Sequence, residues 1–436
     1  MLSFQPRVAI VDDKYDEISG ILQRYQENGI GIKYYNAKLT DPDPKPVDNF
    51  SDLNLIFLDV HFTDNFSDYD PELCAAWIDS LVPEFSFYIL VLWSKETDKK
   101  EEILEELRRI NRVPFLFLTE QKTDYQIDDS WDFEKLNESI NSKLDNYPEL
   151  DELANWKNNV AYSSNIVIGH LTNTSTPDQL KKKLQKIILG HGGTSILQSE
   201  NNEFKRETLF EALDSVLISN TKEQLPLKVI SELNAEGLYQ IPDNVQSDVD
   251  SKLNSWFHFK LHKTPLNQNL IIPGTICTFK NNLLKNYYNI QNDEFIQKFL
   301  SHQFQKRDIQ GSNTELIDVC LLISRPCDVA QNKYGKNLKL ISGILIKNPA
   351  RKENAKKDFR KGNSNLISVK LYDHLQFSDE ENDIALIFDF RYVFSVPEKM
   401  FIDKFENVKV FNKELLSEIQ VEYSSYSSRL GITQII

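Results

Sequence analysis

Aspartate is the residue type whose placement first suggests chemistry in this chain. Asp12 and Asp13 close the apolar run Val8-Ala9-Ile10-Val11, and Asp59 closes Leu53-Asn54-Leu55-Ile56-Phe57-Leu58. The Ser94 hydroxyl closes a third run, Tyr88-Ile89-Leu90-Val91-Leu92-Trp93. Apolar runs of this length read as buried parallel strands. Ligands of open α/β sheets sit beyond the carboxyl ends of such strands, so the runs gather carboxylates and a hydroxyl into one acidic pocket. Neighbouring carboxylates suit a hard cation such as Mg2+, which takes oxygen ligands and keeps several waters. The ion would neutralise a phosphoryl group that bare carboxylates repel, so the chemistry implied is phosphoryl transfer with Mg2+ as cofactor. Helix capping by aspartate accounts for one or two of these acids, but not for their coincidence at the ends of adjacent strands.

The elements that must position these groups alternate along the chain. Tyr15 to Glu27 has helical apolar spacing and stops at Asn28-Gly29; Ile30 to Asn36 reads as strand, and Asp41 to Asn49 as a Pro- and Asp-rich loop. Pro71 to Leu81 reads as helix, Phe85 to Ser94 as strand, Lys99 to Ile110 as amphipathic helix and Pro114 to Thr119 as a fifth strand. Ser130 to about Asn158 reads as one continuous helix. Strands alternating with helices predict an α/β domain with a five-stranded parallel, doubly wound sheet of the flavodoxin type.

This pattern resembles the receiver domain of bacterial two-component response regulators over roughly residues 5 to 145. The resemblance implies that Asp59 is the phosphoacceptor, that Asp12 and Asp13 form the acidic metal-binding pair, and that the His61 backbone carbonyl is a further metal ligand. It implies that Ser94 contacts the phosphoryl oxygens and that a lysine beyond the fifth strand pairs with them. Lys122 matches that lysine, although Glu120-Gln121 stand between it and the strand and Thr123 follows where the family has proline; Lys95 is the alternative cation. Lys95 also takes the place of a small residue usual after the hydroxyl, and the Pro and Gly common after the acceptor are missing from Val60 to Asn65. A receiver followed by long helices and Ser324-Arg325-Pro326-Cys327-Asp328 is similar to the receiver proteins of Detocs-type anti-phage two-component systems. That similarity implies a phosphoryl sink or buffer.

The rest of the chain is less explicit. Ile166 to about Phe257 reads as mostly helical, with Leu180 to Leu189, Phe204 to Ile218 and Leu227 to Leu233 as helices. Gly190-His191-Gly192-Gly193-Thr194 follows a helix and lacks a downstream Lys-Ser or Lys-Thr, so it reads as a helix end and not a phosphate loop. Short β-rich runs follow at Ile271 to Phe279, Asp318 to Ser324, Leu338 to Ile346, Leu366 to Leu371 and Asp383 to Phe394, with helical spacing again from Lys413 to Leu430. His258 and His262, four apart, with Cys277 or Cys327 could make a metal site, but no Glu lies between the histidines and the thiols belong to apolar strands. Buried cysteine and surface histidine fit better. Ser324 to Asp328 reads as a proline-fixed strand exit. The expected domains are a receiver-like domain at 1–145, a helical middle segment at 146–257 and a C-terminal mixed α/β or mainly β domain at 258–436.

A chain of 436 residues exceeds what one core usually serves. A net charge of -15 argues against nucleic acid as a partner. No apolar run reaches the length of a membrane span, no secretory segment precedes the first strand, and the four scattered cysteines suggest reduced thiols, so the protein reads as cytoplasmic. The expected partner is a sensor histidine kinase, with no membrane association; a homo-oligomer stays open. The rival reading is a phosphorylation-controlled effector whose C-terminal domain is an enzyme.

Overall fold

The computed structural model describes residues 5–63, 69–96, 98–127, 130–173, 175–193, 196, 202–221, 230–242, 249–260, 268, 271–279, 286, 288–291, 314–330, 333–349, 368–378 and 383–428. The chain divides into two compact units, Met1–Glu152 and Leu153–Ile436.

In the first unit β1 (Val8–Asp12), β2 (Ile32–Asn36), β3 (Leu55–Leu58), β4 (Ile89–Ser94) and β5 (Leu116–Gln121) form one sheet in the order β2-β1-β3-β4-β5. Every neighbouring pair is parallel. The expected α/β architecture is therefore present. Its cause is visible in the alternation of side chains, because successive strand residues point to opposite faces. Ala9, Val11, Ile56, Leu58, Leu90 and Leu92 pack on one face against Cys74, Trp77 and Ile78 of α2 (Pro71–Leu81) and Ile103 and Leu107 of α3 (Lys100–Arg109). Val8, Ile10, Phe57, Val91 and Trp93 pack on the other against Ile21 of α1 (Ser19–Glu27) and Leu136 and Ile140 of α4 (Phe133–Leu144). Each such fully buried aliphatic side chain stabilises the unit by about 1.5–3 kcal/mol. Both faces being covered explains why the strands read as unbroken apolar runs.

Three local features depart from the sequence expectation. The helix expected from Tyr15 is interrupted: a 3₁₀ turn, Tyr15–Glu17, precedes α1, and Ile18 between them is fully buried. The strand expected to end at Thr119 runs on to Gln121, with Glu120 opposite Trp93 and Gln121 opposite Ser94. The helix expected from Ser130 to Asn158 is instead a small hairpin, β6 (Gln126–Ile127) with β7 (Ser130–Trp131), then α4, then α5 (Glu149–Thr172). Asp132 caps α4 by accepting from the Lys135 N–H at 2.9 Å, and Pro148 disfavours helical backbone at Tyr147, which separates α4 from α5.

The second unit begins within α5. It contains α6 (Pro177–Gly192), α7 (Asn202–Thr221), α8 (Glu232–Glu236) and α9 (Ser251–His258). Gly193 ends α6 with φ +70°, so the glycine-rich stretch is the helix end expected. Its sheet comprises β8 (Thr275–Phe279), β9 (Glu315–Leu322), β10 (Asn337–Lys347), β11 (Val369–Leu375), β12 (Ile384–Pro397) and β13 (Phe405–Val410), in the order β11-β12-β10-β9-β8-β13. The β8–β9, β9–β10, β10–β12, β11–β12 and β8–β13 pairs are antiparallel. The helix Lys413–Ser427 buries Leu415, Leu416 and Ile419 against one face of this sheet. Among the described residues, no helix is long and apolar enough to cross a membrane.

Candidate functional site

In a sheet of this order, the chain leaves β1 toward one edge and returns to β3 on the other side. The crevice between those two strands is therefore the natural ligand position. Asp12 is the last residue of β1. Asp59 follows β3 directly, and its N–H donates to the Val11 carbonyl at 2.9 Å, which fixes it beside Asp12. Ser94 ends β4 and is fully buried, its Oγ accepting from the Glu96 N–H at 3.5 Å.

Between the two aspartates stands Lys122. Because β5 extends to Gln121, Lys122 leaves the strand directly, as the receiver pattern asks, and opens a 3₁₀ turn, Lys122–Tyr125. Its Nζ donates to Asp59 Oδ2 at 2.6 Å, Glu17 Oε2 at 2.7 Å and Asp12 Oδ2 at 2.8 Å. Lys122 and Asp12 have no exposed side-chain surface, and Asp59 only 8%. The second oxygens are also held: Asp12 Oδ1 accepts from the Lys14 N–H at 2.8 Å, and Asp59 Oδ1 from the Val60 N–H at 2.7 Å and the His61 N–H at 3.4 Å.

Glu17 went unnoticed in the sequence because the Tyr15 to Glu27 pattern placed it on an ordinary helix. The available signal was its position, five residues after Asp12 in the turn at the carboxyl edge of β1. Glu17 also accepts from Lys95 Nζ at 3.1 Å, so Lys122 enters the centre of the site while Lys95 stands one carboxylate away. Asp13 is half-buried and lies outside the tightest acidic triple, which is Asp12, Glu17 and Asp59. His61 is buried, its Nε2 3.4 Å from Glu96 Oε2. Cys74 lies behind the acceptor, with Sγ 4.0 Å from the Asp59 carbonyl oxygen; burial pushes its thiol well above the ordinary range.

Three carboxylates around one ammonium leave negative charge in a place with little water. Burial, then the Asp59 charge, pushes the Asp12 carboxyl up to about 8 against the pull of Lys122. The same two causes raise Asp13. Burial works against ionised Glu17 as well, but Lys122 and then Lys95 outweigh it and hold its carboxyl below the ordinary value. Lys122 is raised, since Asp59 and Asp12 overcome the cost of burying the ammonium. The oxygens of Asp12, Glu17 and Asp59 lie within 4.8 Å of one another and already surround a cation, the lysine's own. An all-oxygen set of this charge fits a divalent ion such as Mg2+.

Among the described residues, the other candidate groups form no cluster of three or more metal-ligating side chains. His258 ends α9, with Nδ1 2.6 Å from the Asn254 carbonyl oxygen, while His262 and the Cys327 side chain lie outside the described residues. Cys277 and Cys320 are buried free thiols, with burial raising both. Ser324 is buried and accepts from the Lys339 N–H at 2.9 Å, and Pro326 opens a short helix, Pro326–Ala330, which makes this stretch a strand exit.

Comparison with known protein families and with curated proteins finds no match for this chain. What sheet order and acidic cluster define on their own is a parallel α/β unit compatible with a receiver fold, with an oxygen-lined cation site at its switch point.

Proposed function

We propose that the first unit is a receiver-type domain in which Asp59 accepts a phosphoryl group from a sensor histidine kinase, and that the protein acts as a phosphoryl sink. The observation that carries this reading is the bridge from Asp59 through the Lys122 ammonium to Asp12, built from the ends of β3, β5 and β1. In the reaction an Asp59 carboxylate oxygen forms a bond to phosphorus while the P–N bond of the donor phosphohistidine breaks, its electron pair returning to the imidazole. Lys122 moves its positive charge from the free carboxylate to the phosphoryl oxygens as a point charge. Ser94, at the end of the next strand, supplies a hydroxyl for the same oxygens. Asp12, Asp13 and Asp59, with the His61 backbone carbonyl, would hold Mg2+, which would supply neutralisation of the phosphoryl charge.

The test is incubation with a small acyl phosphate and MgCl2, read by intact mass. One phosphoryl group is expected on the wild type and none on Asp59→Ala; labelling that survives the substitution sinks the assignment. A sink needs only such an acceptor set, and Asp12, Asp59, Ser94 and Lys122 all lie within Met1–Glu152. A sink acts by mass action on the kinase, so in the cell Asp59→Ala is expected to raise signalling through a competing regulator. A pathway silenced by that variant would instead place the output in this chain, as the effector reading requires.

A further inference from the structure

The Lys122 ammonium occupies the position between Asp12 and Asp59 that a divalent ion would need. Both cannot be there, because the same Asp12 Oδ2 and Asp59 Oδ2 atoms that accept from Lys122 would face the ion. Expelling a buried ammonium to a place without a counter-charge is strongly unfavourable. The structure offers a nearer solution. Glu17 reaches Lys122 from outside the Asp12–Asp59 pair, it retains 15% exposure where those two are almost closed, and it is braced at 3.1 Å by Lys95. Neither the acid pair, the acceptor nor the hydroxyl needs a carboxylate there.

We propose that Glu17 is a positioning residue for Lys122: it is the seat to which the ammonium withdraws when Asp12 and Asp59 turn to a divalent ion, and it keeps Lys122 beside the acceptor. This rests on the reading of Asp59 as a metal-assisted acceptor. Lys122 keeps one of its three hydrogen bonds during the exchange, so the exchange costs less than full release. Lys95 limits how strongly Glu17 holds the lysine, which leaves Lys122 able to reach the phosphoryl oxygens afterwards. The residue therefore sets metal affinity through the lysine, without itself being a ligand.

The experiment is a double-mutant cycle on the full chain, read by calorimetric titration with MgCl2 alone. Glu17→Gln is expected to lower Mg2+ affinity about fivefold, since Lys122 then has only Asp12 and Asp59 to hold. Lys122→Met is expected to raise affinity about tenfold by removing the competing cation. In the Lys122→Met background the Glu17→Gln loss should shrink to about twofold or less. Equal losses in both backgrounds would make Glu17 a direct ligand and overturn the proposal, as would no loss in either. Should a Lys122 variant fail to fold, carboxyl-carbon NMR of the wild type decides. On adding MgCl2 the coupling of the Lys122 ammonium nitrogen to the Asp12 and Asp59 carboxyl carbons should vanish while its coupling to the Glu17 carboxyl carbon persists, and loss of the Glu17 coupling overturns the proposal. Mg2+ that binds neither the wild type nor Lys122→Met defeats the metal-assisted reading itself, and the proposal with it.

Discussion

Asp59, directly after β3 in the first unit, and Asp389, within β12 of the second, are both buried carboxylates, and they are neutralised in opposite ways. Asp389 lies in β12 where its pairing with β10 shifts register, and its partner Arg391 is two residues on. Arg391 Nε donates to Oδ1 at 3.0 Å and to Oδ2 at 3.1 Å, Nη2 donates to Oδ2 at 2.5 Å, and its backbone N–H adds 2.9 Å to Oδ1. One acid meets one planar fork, and the charges cancel locally. At Asp59 three acids share the Lys122 ammonium and Lys95 pairs with Glu17, so Asp12 and Asp59 face one ammonium between them and burial leaves a surplus of negative charge there. The paired site is closed structure. The crowded one keeps a buried surplus of negative charge that a bound proton or a further cation would relieve.

The sharpest way to break this comparison is to remove the shared cation. Lys122→Met leaves three facing carboxylates around an apolar stem and is expected to cost about 3–5 kcal/mol of the first unit's stability, the usual penalty for an uncompensated buried charge. Urea unfolding followed through Trp77, Trp93 and Trp131, all in this unit, is the measurement. Added MgCl2 should recover much of the loss because the ion replaces the missing charge. A variant that stays destabilised whatever the MgCl2 concentration would mean that the cluster is not a cation site.

A smaller effect is expected at the paired site. Asp389→Asn keeps an acceptor for the guanidinium but removes the charge, and Arg391 is 32% exposed, so water can take up part of what is lost. The expected cost is about 1–3 kcal/mol by urea unfolding monitored by circular dichroism. MgCl2 should change nothing. Recovery of this variant by the ion would erase the distinction between the two sites.

The surplus charge also predicts opposite pH trends in two windows. Folded Asp12 keeps its proton up to about 8, whereas the unfolded chain releases it near 3.8, so between these values the folded state binds more protons. Stability of the metal-free first unit therefore falls as pH rises through that window. Glu17, held below its ordinary value, works the other way, and its contribution is lost as pH falls through the acid range. Mg2+ must displace the Asp12 proton, so its apparent affinity should climb by up to about tenfold per pH unit below that value and level off above it. Titrations in buffers of different ionisation enthalpy would show the released proton; a pH-independent affinity would contradict the picture.

The acids of this site were legible because parallel strands buried on both faces announce themselves as apolar runs, and whatever ends such a run sits at the sheet's carboxyl edge. Asp12, Asp59 and Ser94 were found in that way. Glu17 was not, because a helical repeat of apolar residues says nothing about a 3₁₀ turn inserted before Ile18. The strand runs two residues past the expected Thr119 because the Glu120 carboxylate is satisfied by Tyr125 and Lys143, partners that local pattern does not encode. In the second unit β8 to β12 were found from their apolar runs and only their bounds moved, whereas β13 was missed: Phe405-Glu406-Asn407-Val408-Lys409-Val410 carries two charges and an Asn, and its place beside β8 is set by long-range pairing that local pattern does not encode.

Glu120 offers the mirror image of Lys122 and the mildest test. It is a carboxylate with 3% exposure surrounded by donors: Tyr125 at 2.5 Å and Ser139 at 3.3 Å on Oε2, with Lys143 at 2.6 Å and Ser139 at 3.1 Å on Oε1. No shortage of partners arises when one leaves, and Lys143 is itself 40% exposed, so its charge is screened by water. Lys143→Ala is therefore expected to cost about 1 kcal/mol or less, read in the same urea titration as Lys122→Met. One donor among several around an acid is nearly dispensable; one donor among several acids is not. If the two lysine substitutions proved equally costly, the balance of acids to donors would not be what separates these sites, and burial of the ion pair alone would have to explain both.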